Sequence, residues 1–278
     1  FILVHVTLIV MTGFVRNMNH IVMGTDDQTN HIGMILGFVG IGVVVLAWIV
    51  AHYISWIYPR FLQHAQKFIT YPLMLTTLNR LSPSEHYTEA DISPRFWPNG
   101  KIPEREDWKQ MASDGFQAYK LKVGGLVDNP VELSLADIER LAKTEEITMH
   151  HCVQGWTGIA KWGGLPMKSL VDLVHPRPNA KVVAFFSFGG SLYGGAYYDT
   201  QSIDNVLKAQ CLLASEMNGK PLTKVYGAPL RLRVENQLGY KMVKWIERIE
   251  FIESEKSIGL GEGGKNEDDE YFDLLPNI

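Results

Sequence analysis

The feature that most constrains this chain is a long run without charge near its N-terminus. Residues 33–57 contain no Asp, Glu, Lys or Arg. As a helix this run would be about 37 Å long, which exceeds the roughly 30 Å hydrocarbon core of a bilayer. Its C-terminal end carries the aromatic residues typical of a membrane interface, namely Trp48, Tyr53, Trp56 and Tyr58. We therefore predict a transmembrane helix over residues 33–57, with membrane lipid as one partner.

A second apolar run opens the chain. Residues 1–15 are too short to cross a bilayer alone, so we interpret them as the remaining part of an earlier transmembrane helix, and residues 16–31 as a turn between the two helices. The chain begins with Phe rather than Met, and we expect the natural N-terminus to precede it. Gly33 and Gly37 form a small-xxx-small pair, which predicts a close approach of the helices. Residues 1–58 are thus a predicted membrane anchor.

The histidines of this anchor raise the question of a haem site. They are His5, His20, His31 and His52. His31 and His52 would lie about 31 Å apart on one helix, which is too far to share an iron. A haem site completed by further helices or by a partner stays open.

The remainder of the chain excludes two broad classes. A net charge of −4 gives no general attraction to nucleic acid, and we expect no nucleic-acid partner. Only Cys152 and Cys211 are present, which excludes the disulfide framework of a small secreted domain. Zinc is also disfavoured, because no Cys-x-x-Cys pair accompanies either cysteine.

Periodic patterns downstream predict an α+β domain with many short strands. The predicted strands cover residues 119–126, 147–152, 182–187, 226–234 and 243–252, and the predicted helices cover residues 134–141, 165–173 and 203–217. We divide the chain after the anchor into a proline-punctuated linker at 59–94, a catalytic domain at 95–258 and an acidic tail at 259–278. We expect the tail to be solvated and partly mobile.

The most informative segment surrounds Cys152, which ends a predicted strand and precedes a glycine-rich turn. A thiolate in that position can serve a soft metal, a nucleophilic enzyme or a zinc site. The nucleophile needs a base, for which His150 at i−2 is the candidate, and zinc needs further ligands that are not nearby. From the residues alone a buried structural cysteine is the best interpretation.

The segment from Cys152 to Pro166 resembles the molybdenum-binding segment of sulfite-oxidase-fold enzymes, through Cys152, Trp156, Gly158, Trp162-Gly163-Gly164 and Pro166. Three further motifs follow in the family's order, around residues 212–222, 226–234 and 239–250. The resemblance covers residues 95–253. It is nearest to the catalytic subunit type of the bacterial methionine-sulfoxide reductases. It implies an α+β domain of the sulfite-oxidase (oxidoreductase molybdopterin-binding) fold, which here would follow the predicted N-terminal transmembrane helices, although that subunit carries no membrane helices of its own.

The resemblance also implies a cofactor and a set of site residues. Cys152 would be the thiolate ligand of molybdenum in a molybdenum–molybdopterin group. The cofactor-binding candidates are Asn99, His150, Arg231, Arg233, Lys241 and Lys244, of which Lys241 is the first choice for the pterin phosphate. The catalytic candidates besides Cys152 are Gln154 and Tyr198, with Tyr197 competing for the role of Tyr198.

Departures from the family narrow the expected activity. True sulfite oxidases follow the cysteine with Ala-Gly-Asn-Arg-Arg, whereas this chain has Val153-Gln-Gly-Trp. The methionine-sulfoxide reductase subunit has Glu where Gln154 stands. We expect two-electron or oxygen-atom transfer on a small or protein-bound substrate, sulfoxide-like rather than sulfite. Electrons would pass to or from a membrane haem or quinone-linked carrier in a bacterial inner membrane.

Two other classes of function remain open. One is a non-catalytic electron-relay or scaffold subunit that keeps the fold. The other is a thiol-nucleophile enzyme that uses Cys152 and His150, and it predicts activity without metal.

Overall fold

The computed structural model describes residues 2–58, 61, 68–69, 72–73, 86–192 and 194–270. The chain divides into two compact units, Phe1–Gln66 and Lys67–Ile278. Most of the predicted linker at 59–94 and the last eight residues of the predicted tail lie outside the described residues. The domain boundaries drawn from the sequence stay predictions.

The N-terminal unit contains helices α1 (Ile2–Met11), α2 (Phe14–Met23) and α3 (Ile32–Ile57). Helix α3 is long and apolar enough to cross a membrane, and none of its apolar window is buried against protein. Helices α1 and α2 are bent by 116° at the break between them. The expectation of a turn over residues 16–31 is therefore wrong for its first half, because residues 14–23 continue as a helix.

Close packing of α2 on α3 depends on Asn19. This residue is fully buried. Its side-chain oxygen accepts a hydrogen bond from the backbone N–H of Gly33 at 2.9 Å, and its amide donates to the backbone oxygen of Asp27 at 2.7 Å. A Cβ atom at Gly33 would lie only 2.3 Å from that side-chain oxygen. The small residue at position 33 thus permits the approach, and Asn19 satisfies one of the free N–H groups that begin α3.

The second unit is built on two five-stranded sheets. Its strands are β1 Lys120–Gly125, β2 Val131–Ser134, β3 Thr144–His151, β4 Thr157–Pro166, β5 Val182–Gly190, β6 Ala196–Ser202, β7 Cys211–Met217, β8 Lys220–Pro221, β9 Arg231–Val234 and β10 Ile246–Ile252. One sheet has the order β2-β1-β10-β5-β6. The other has the order β3-β4-β7-β8, and β9 also pairs with β7. The predicted α+β class with many short strands is confirmed.

From residue 86 onwards, the described α-helices are short. They are α4 Glu106–Ser113, α5 Leu135–Leu141, α6 Met167–Val174, α7 Ile203–Val206 and α8 Lys265–Glu270. Ser134 caps α5 as the sequence predicts, since its side chain accepts a hydrogen bond from the backbone N–H of Asp137.

Three predicted elements differ from the structure. The expected helix at 203–217 is the four-residue α7 followed by strand β7, and β7 lies between β4 and β9 with its first four residues fully buried. Burial on both faces removes the alternation that marks a strand, so the apolar run was ambiguous. The expected glycine-rich turn after Cys152 is short, because residues 157–166 form β4. The expected strand at 226–234 is limited to β9, since residues Lys224–Tyr226 form a 3-10 turn.

The acidic tail also differs from the expectation of a solvated end. Helix α8 contacts β6, and the carboxylates of Glu267 and Asp268 are buried. The described part of the tail, residues 259–270, is therefore a packed segment of the domain.

The core provides a test of strand packing at Gly164, where β4 pairs with β7 opposite Ala214. A Cβ atom there would lie 2.0 Å from the backbone oxygen of Leu213. Gly164→Ala is expected to lower the free energy of unfolding by about 1–3 kcal/mol, because the backbones must separate. Gly124→Ala in β1 is the control, since no atom lies within 4 Å of its added Cβ. Denaturant unfolding of both variants measures the difference, and equal stabilities would contradict the packing.

Candidate active site

Cys152 lies in the tight turn that joins β3 to β4. Its backbone N–H donates to the oxygen of Trp156 at 3.0 Å, and the N–H of Gly155 donates to the oxygen of Cys152 at 3.0 Å. Gly155 has a φ of +87°, which an L side chain rarely adopts. The thiol is 7% exposed. A rigid hairpin turn therefore presents one buried sulfur at the end of two strands.

The sulfur faces a cavity of about 390 Å³. Its lining includes most of the side chains singled out from the sequence, namely Asn99, His150, Cys152, Gln154, Tyr197, Arg231 and Lys244. No Asp or Glu is among the described lining residues. As far as its described lining goes, the cavity is thus cationic and contains no carboxylate.

Asn99 connects the sulfur to one of the cations. Its side-chain amide lies 3.7 Å from the Cys152 Sγ, in position to donate to it. The ammonium of Lys244 donates to the backbone oxygens of Asn99 and Val225, the latter at 2.7 Å. The loop that carries Asn99 is therefore tied to the segment that carries Lys244.

Arg231 and Lys244 are the two uncompensated cations of the cavity. Within the described residues, neither has a carboxylate within 4 Å. Arg231 is 4% exposed, stacks over Trp162 at 4.8 Å, and keeps a buried Nε without a hydrogen-bond partner. Burial and the neighbouring Arg233 lower the pKa of Arg231, and burial together with Arg231 lowers the pKa of Lys244 to about 7. These shifts mark a site that lacks a negative charge.

Arg233 has a different role, although it lies on the same strand. It does not line the cavity, and its guanidinium forms two hydrogen bonds to the carboxylate of Glu235, at 2.9 and 2.8 Å. Its Nη1 also donates to the Nδ1 of His150 at 2.9 Å. Because an arginine can only donate, neutral His150 carries its proton on Nε2. Burial and the charge of Arg233 lower the pKa of His150, which keeps the ring neutral.

The two competing tyrosines separate clearly. Tyr197 lines the cavity, and its hydroxyl donates to the backbone oxygen of Tyr240 at 2.6 Å. Tyr198 lies outside the lining and its hydroxyl contacts the carboxylate of Asp268. Neighbouring residues of a strand point to opposite faces. The preference for Tyr198 is therefore corrected to Tyr197.

Lys241 requires a second correction. The sequence made it the first choice for a phosphate, but its ammonium lies outside the lining and pairs with the carboxylates of Asp199 and Glu267, the latter at 2.6 Å. Burial opposes its charge, yet the two carboxylates outweigh burial and raise the pKa of Lys241. Its charge is already compensated, so it is a poor ligand for a further anion.

Asn266 and Tyr226 are among the lining residues that the sequence did not single out. Asn266 comes from the acidic tail, whose composition suggested only a solvated end. Tyr226 begins the predicted strand at 226–234, and its hydroxyl donates to the backbone oxygen of Phe96 at 2.7 Å. Gly239, a glycine at which the sequence already suggested a close approach to the cofactor, also lines the cavity, and a Cβ atom there would lie 2.2 Å from the His150 ring.

One thiolate alone does not make a protein metal site. In the described part of the chain, no group of three or more His, Cys, Asp or Glu side chains is placed to hold a metal ion. A metal at Cys152 would need its other ligands from a cofactor.

The family model of the oxidoreductase molybdopterin binding domain matches residues 107–258, more than half of the chain. The chain belongs to this molybdopterin-binding family. The expected cofactor class and fold are thereby confirmed.

Curated relatives share part of this domain. The protein-methionine-sulfoxide reductase catalytic subunit MsrP of Xanthomonas axonopodis pv. citri is 34% identical over 145 residues, which cover 49% of this chain and 45% of that protein. The MsrP subunit of Campylobacter jejuni is 28% identical over 173 residues, 58% of each chain. The chain spans about half the length of these relatives. The solved sulfane dehydrogenase SoxCD of Paracoccus pantotrophus is similar at 22% identity and a TM-score of 0.44, over 50% of this chain and 39% of that one.

The residues of the cavity fit a molybdopterin group. Its phosphate needs cationic donors, and Arg231 offers a buried Nε without a partner beside the uncompensated Lys244. Gly239 leaves room beside His150, as does Gly227 between Arg231 and Lys244. Cys152 adds the soft ligand that molybdenum requires. The cavity therefore contains residues that suit the phosphate, the pterin and the metal of the cofactor.

The placement of Lys241 predicts a structural defect. Lys241→Ala leaves two buried carboxylates without their cation, and it is expected to lower the free energy of unfolding by about 3–5 kcal/mol. Lys168→Ala removes an exposed pair with Asp172 and should cost less than about 1 kcal/mol. Thermal unfolding of the full chain in detergent compares the two. A stable Lys241→Ala protein would return Lys241 to the list of phosphate ligands.

The lowered pKa of Lys244 predicts pH-dependent anion binding. In cofactor-free protein, the affinity for sulfate should fall as the pH rises between about 6 and 8, because Lys244 loses its proton while sulfate keeps its charge. Isothermal titration across this range measures the effect. Lys244→Gln should bind more weakly and without this pH dependence, whereas Lys101→Gln, on the same lining, should keep it. An unchanged pH profile in Lys244→Gln would contradict the assignment.

Proposed function

We propose that this protein is a membrane-anchored, molybdopterin-dependent oxidoreductase that transfers two electrons or an oxygen atom at a sulfoxide-like substrate. The observation that carries the proposal is the combination, in one carboxylate-free cavity, of the Cys152 thiol with two uncompensated cations. The sulfur supplies one metal ligand, and the cations supply the place for a phosphate.

Each residue then has a defined task. Cys152 ligates the metal, and the Asn99 amide donates towards its sulfur. Arg231 and Lys244 hold the phosphate, while Arg233 fixes the tautomer of His150 so that its Nε2–H can donate to the pterin. When bound, the molybdenum–molybdopterin group supplies the two-electron chemistry. The protein contributes orientation, burial and positive charge.

The substrate side of the cavity favours a neutral, polar group over an anion. Gln154 and Tyr197 line it as neutral hydrogen-bonding residues. Of the three cations on the lining, Arg231 and Lys244 are the two that the phosphate requires, and the exposed Lys101 already lies 3.9 Å from the carboxylate of Glu104. Exposed Trp97, Val153 and Leu192 line the cavity and offer apolar contact to the carbon substituents of a sulfoxide. The MsrP relatives support the same class, since their names assign them to protein-bound methionine sulfoxide.

We also propose that helix α3 anchors the enzyme in a membrane, beside a haem or quinone-linked electron carrier. Confinement to a surface raises the effective concentration of such a carrier. The apolar, unburied surface of α3 supports this part of the proposal.

The thiol-nucleophile alternative is poorly supported by the geometry. A nucleophilic cysteine needs a base within hydrogen-bond reach. In the described residues no hydrogen bond joins Cys152 to His150, and the Nδ1 of His150 already accepts from Arg233. The scaffold alternative gives no physical reason for the two uncompensated cations of the cavity, Arg231 and Lys244, because a subunit without the cofactor has no anion to bind there.

Metal content tests the proposal directly. Full-length protein from a host that makes molybdopterin should contain about one molybdenum per chain, and Cys152→Ala should lose it because the thiolate ligand is gone. Cys211→Ala is the matched control, since Cys211 is also buried but lies in β7 away from the cavity. Elemental analysis with a circular dichroism check of folding decides the outcome. No molybdenum in folded wild-type protein, or full occupancy in Cys152→Ala, would overturn the proposal.

Substrate class is tested on the same loaded protein. A methionine sulfoxide peptide should be reduced with a chemical electron donor, and sulfite, offered with a chemical electron acceptor instead, should be oxidised much more slowly. The reverse preference would keep the cofactor assignment and refute the sulfoxide assignment.

A further inference from the structure

The acidic tail forms a specific connection to the active-site cavity. Its described part, residues 259–270, is called the C-terminal segment below. The segment runs beside β6, where the backbone N–H of Thr200 donates to the oxygen of Gly263 at 3.0 Å and an isolated bridge pairs Asp199 with Gly264. Backbone hydrogen bonds thus fix the position of the segment along one strand of the cavity.

A buried cluster of charges fastens the segment. Glu267 of the segment and Asp199 of β6 both pair with the ammonium of Lys241, and all three side chains are almost fully buried. The next residue, Asp268, accepts hydrogen bonds from the backbone N–H groups of Leu260 and Glu262, at 3.0 and 3.4 Å. Buried carboxylates require such partners, so the cluster forms only when the segment is docked.

The close fit of the segment leaves room only for glycine at two positions. Gly259 has a φ of +55°, and a Cβ atom there would overlap the hydroxyl of Tyr198. At Gly264 a Cβ atom would lie 2.5 Å from the Glu267 carboxylate and 2.8 Å from that of Asp199. The backbone therefore approaches β6 as closely as a packed interior allows.

Asn266 is the residue by which the segment reaches the cavity. It belongs to the lining, and its side-chain amide donates to the hydroxyl of Tyr197 at 3.2 Å. That hydroxyl in turn donates to the backbone oxygen of Tyr240, beside Lys241. Strand β6, the turn Gly239–Lys241 and the C-terminal segment meet at one phenol group.

We propose that the C-terminal segment is a wall of the active-site cavity, and that Asn266 is a positioning residue that holds the Tyr197 phenol and thereby sets which substrates the cavity accepts. The proposal rests on the proposed function for its reaction, but not for its geometry. A phenol held at its hydroxyl by an amide and a carbonyl keeps one ring position, which defines the shape of that side of the cavity. Without Asn266 the ring gains freedom, and discrimination between substrates falls.

The first test compares substrates in the loaded full-length enzyme. Asn266→Ala should keep the molybdenum content of the wild type and raise the KM for a small sulfoxide about fivefold, with a smaller change in kcat, which is the effect of one lost hydrogen bond. A bulkier sulfoxide should be affected less, so the ratio of the two kcat/KM values changes. Asn129→Ala is the control, because Asn129 also donates one side-chain hydrogen bond, to Leu173, away from the cavity. Unchanged KM values and an unchanged ratio would overturn the proposal.

A double-mutant cycle tests whether Asn266 acts through Tyr197. In a Tyr197→Phe background, Asn266→Ala should have no further effect on KM, because the hydroxyl that it positions is absent. An undiminished effect in that background would mean that Asn266 does not position Tyr197, and it would overturn that role.

Hydrogen exchange separates this proposal from the proposed function. In full-length protein, with or without molybdenum, Asn266→Ala should speed amide exchange in residues 196–199 and 239–241, whereas Asn129→Ala should not. If the wild type contains no molybdenum but the variants show this exchange pattern, the proposed enzyme function is refuted. The proposal that the C-terminal segment forms a wall of the cavity is then retained. If Asn266→Ala leaves amide exchange unchanged in molybdenum-loaded protein, the wall proposal is refuted and the proposed enzyme function is retained.

Discussion

The site depends on two arginines of β9 that carry their charge into the interior. Arg231 and Arg233 alternate with the buried Leu232 and Val234, and both guanidinium groups stack over Trp162, at 4.8 and 4.4 Å. Strand alternation places them on one face, but their surroundings differ. Glu235 compensates Arg233, which is then free to orient His150, whereas no carboxylate within reach in the described chain compensates Arg231. Strand β9 thus both orients the neutral imidazole of His150 on β3, through Arg233, and supplies an uncompensated cation, Arg231.

An unsatisfied buried cation is costly unless a ligand completes it. The lowered pKa values of Arg231 and Lys244 express that cost, and both groups line the cavity that contains Cys152. An anion that binds there recovers electrostatic energy that the folded chain alone lacks, so ligand binding and stability are linked. Lys241 is in the opposite situation, since it lies outside the lining and its compensating carboxylates belong to the fold itself.

Part of the site could be predicted from local patterns and part only from the family resemblance. A cysteine at a strand end and the shared face of Arg231 and Arg233 are visible in the sequence, whereas Asn99 and Lys244 were named because the motifs around them resemble those of the family. The errors arise from contacts that local patterns do not contain. Residues 203–217 lost their alternation because β7 is buried on both faces. Tyr198 and Lys241 were misplaced because their partners, Asp268 and Glu267, come from a tail judged by composition alone.

In the acidic tail, the net charge of a segment does not predict whether the segment is exposed or packed against the domain. Its acids suggest a solvated end because nearby residues carry only Lys265 as a counter-charge. The compensating cation for Glu267 is Lys241, which lies 26 residues earlier in the chain. Once that pair forms, burial of the segment becomes favourable and Asn266 is carried to Tyr197. The acidic segment can therefore form one side of a cavity whose described lining contains no carboxylate. Its buried acids point away from the cavity, where Glu267 pairs with Lys241 and fixes the segment to the domain.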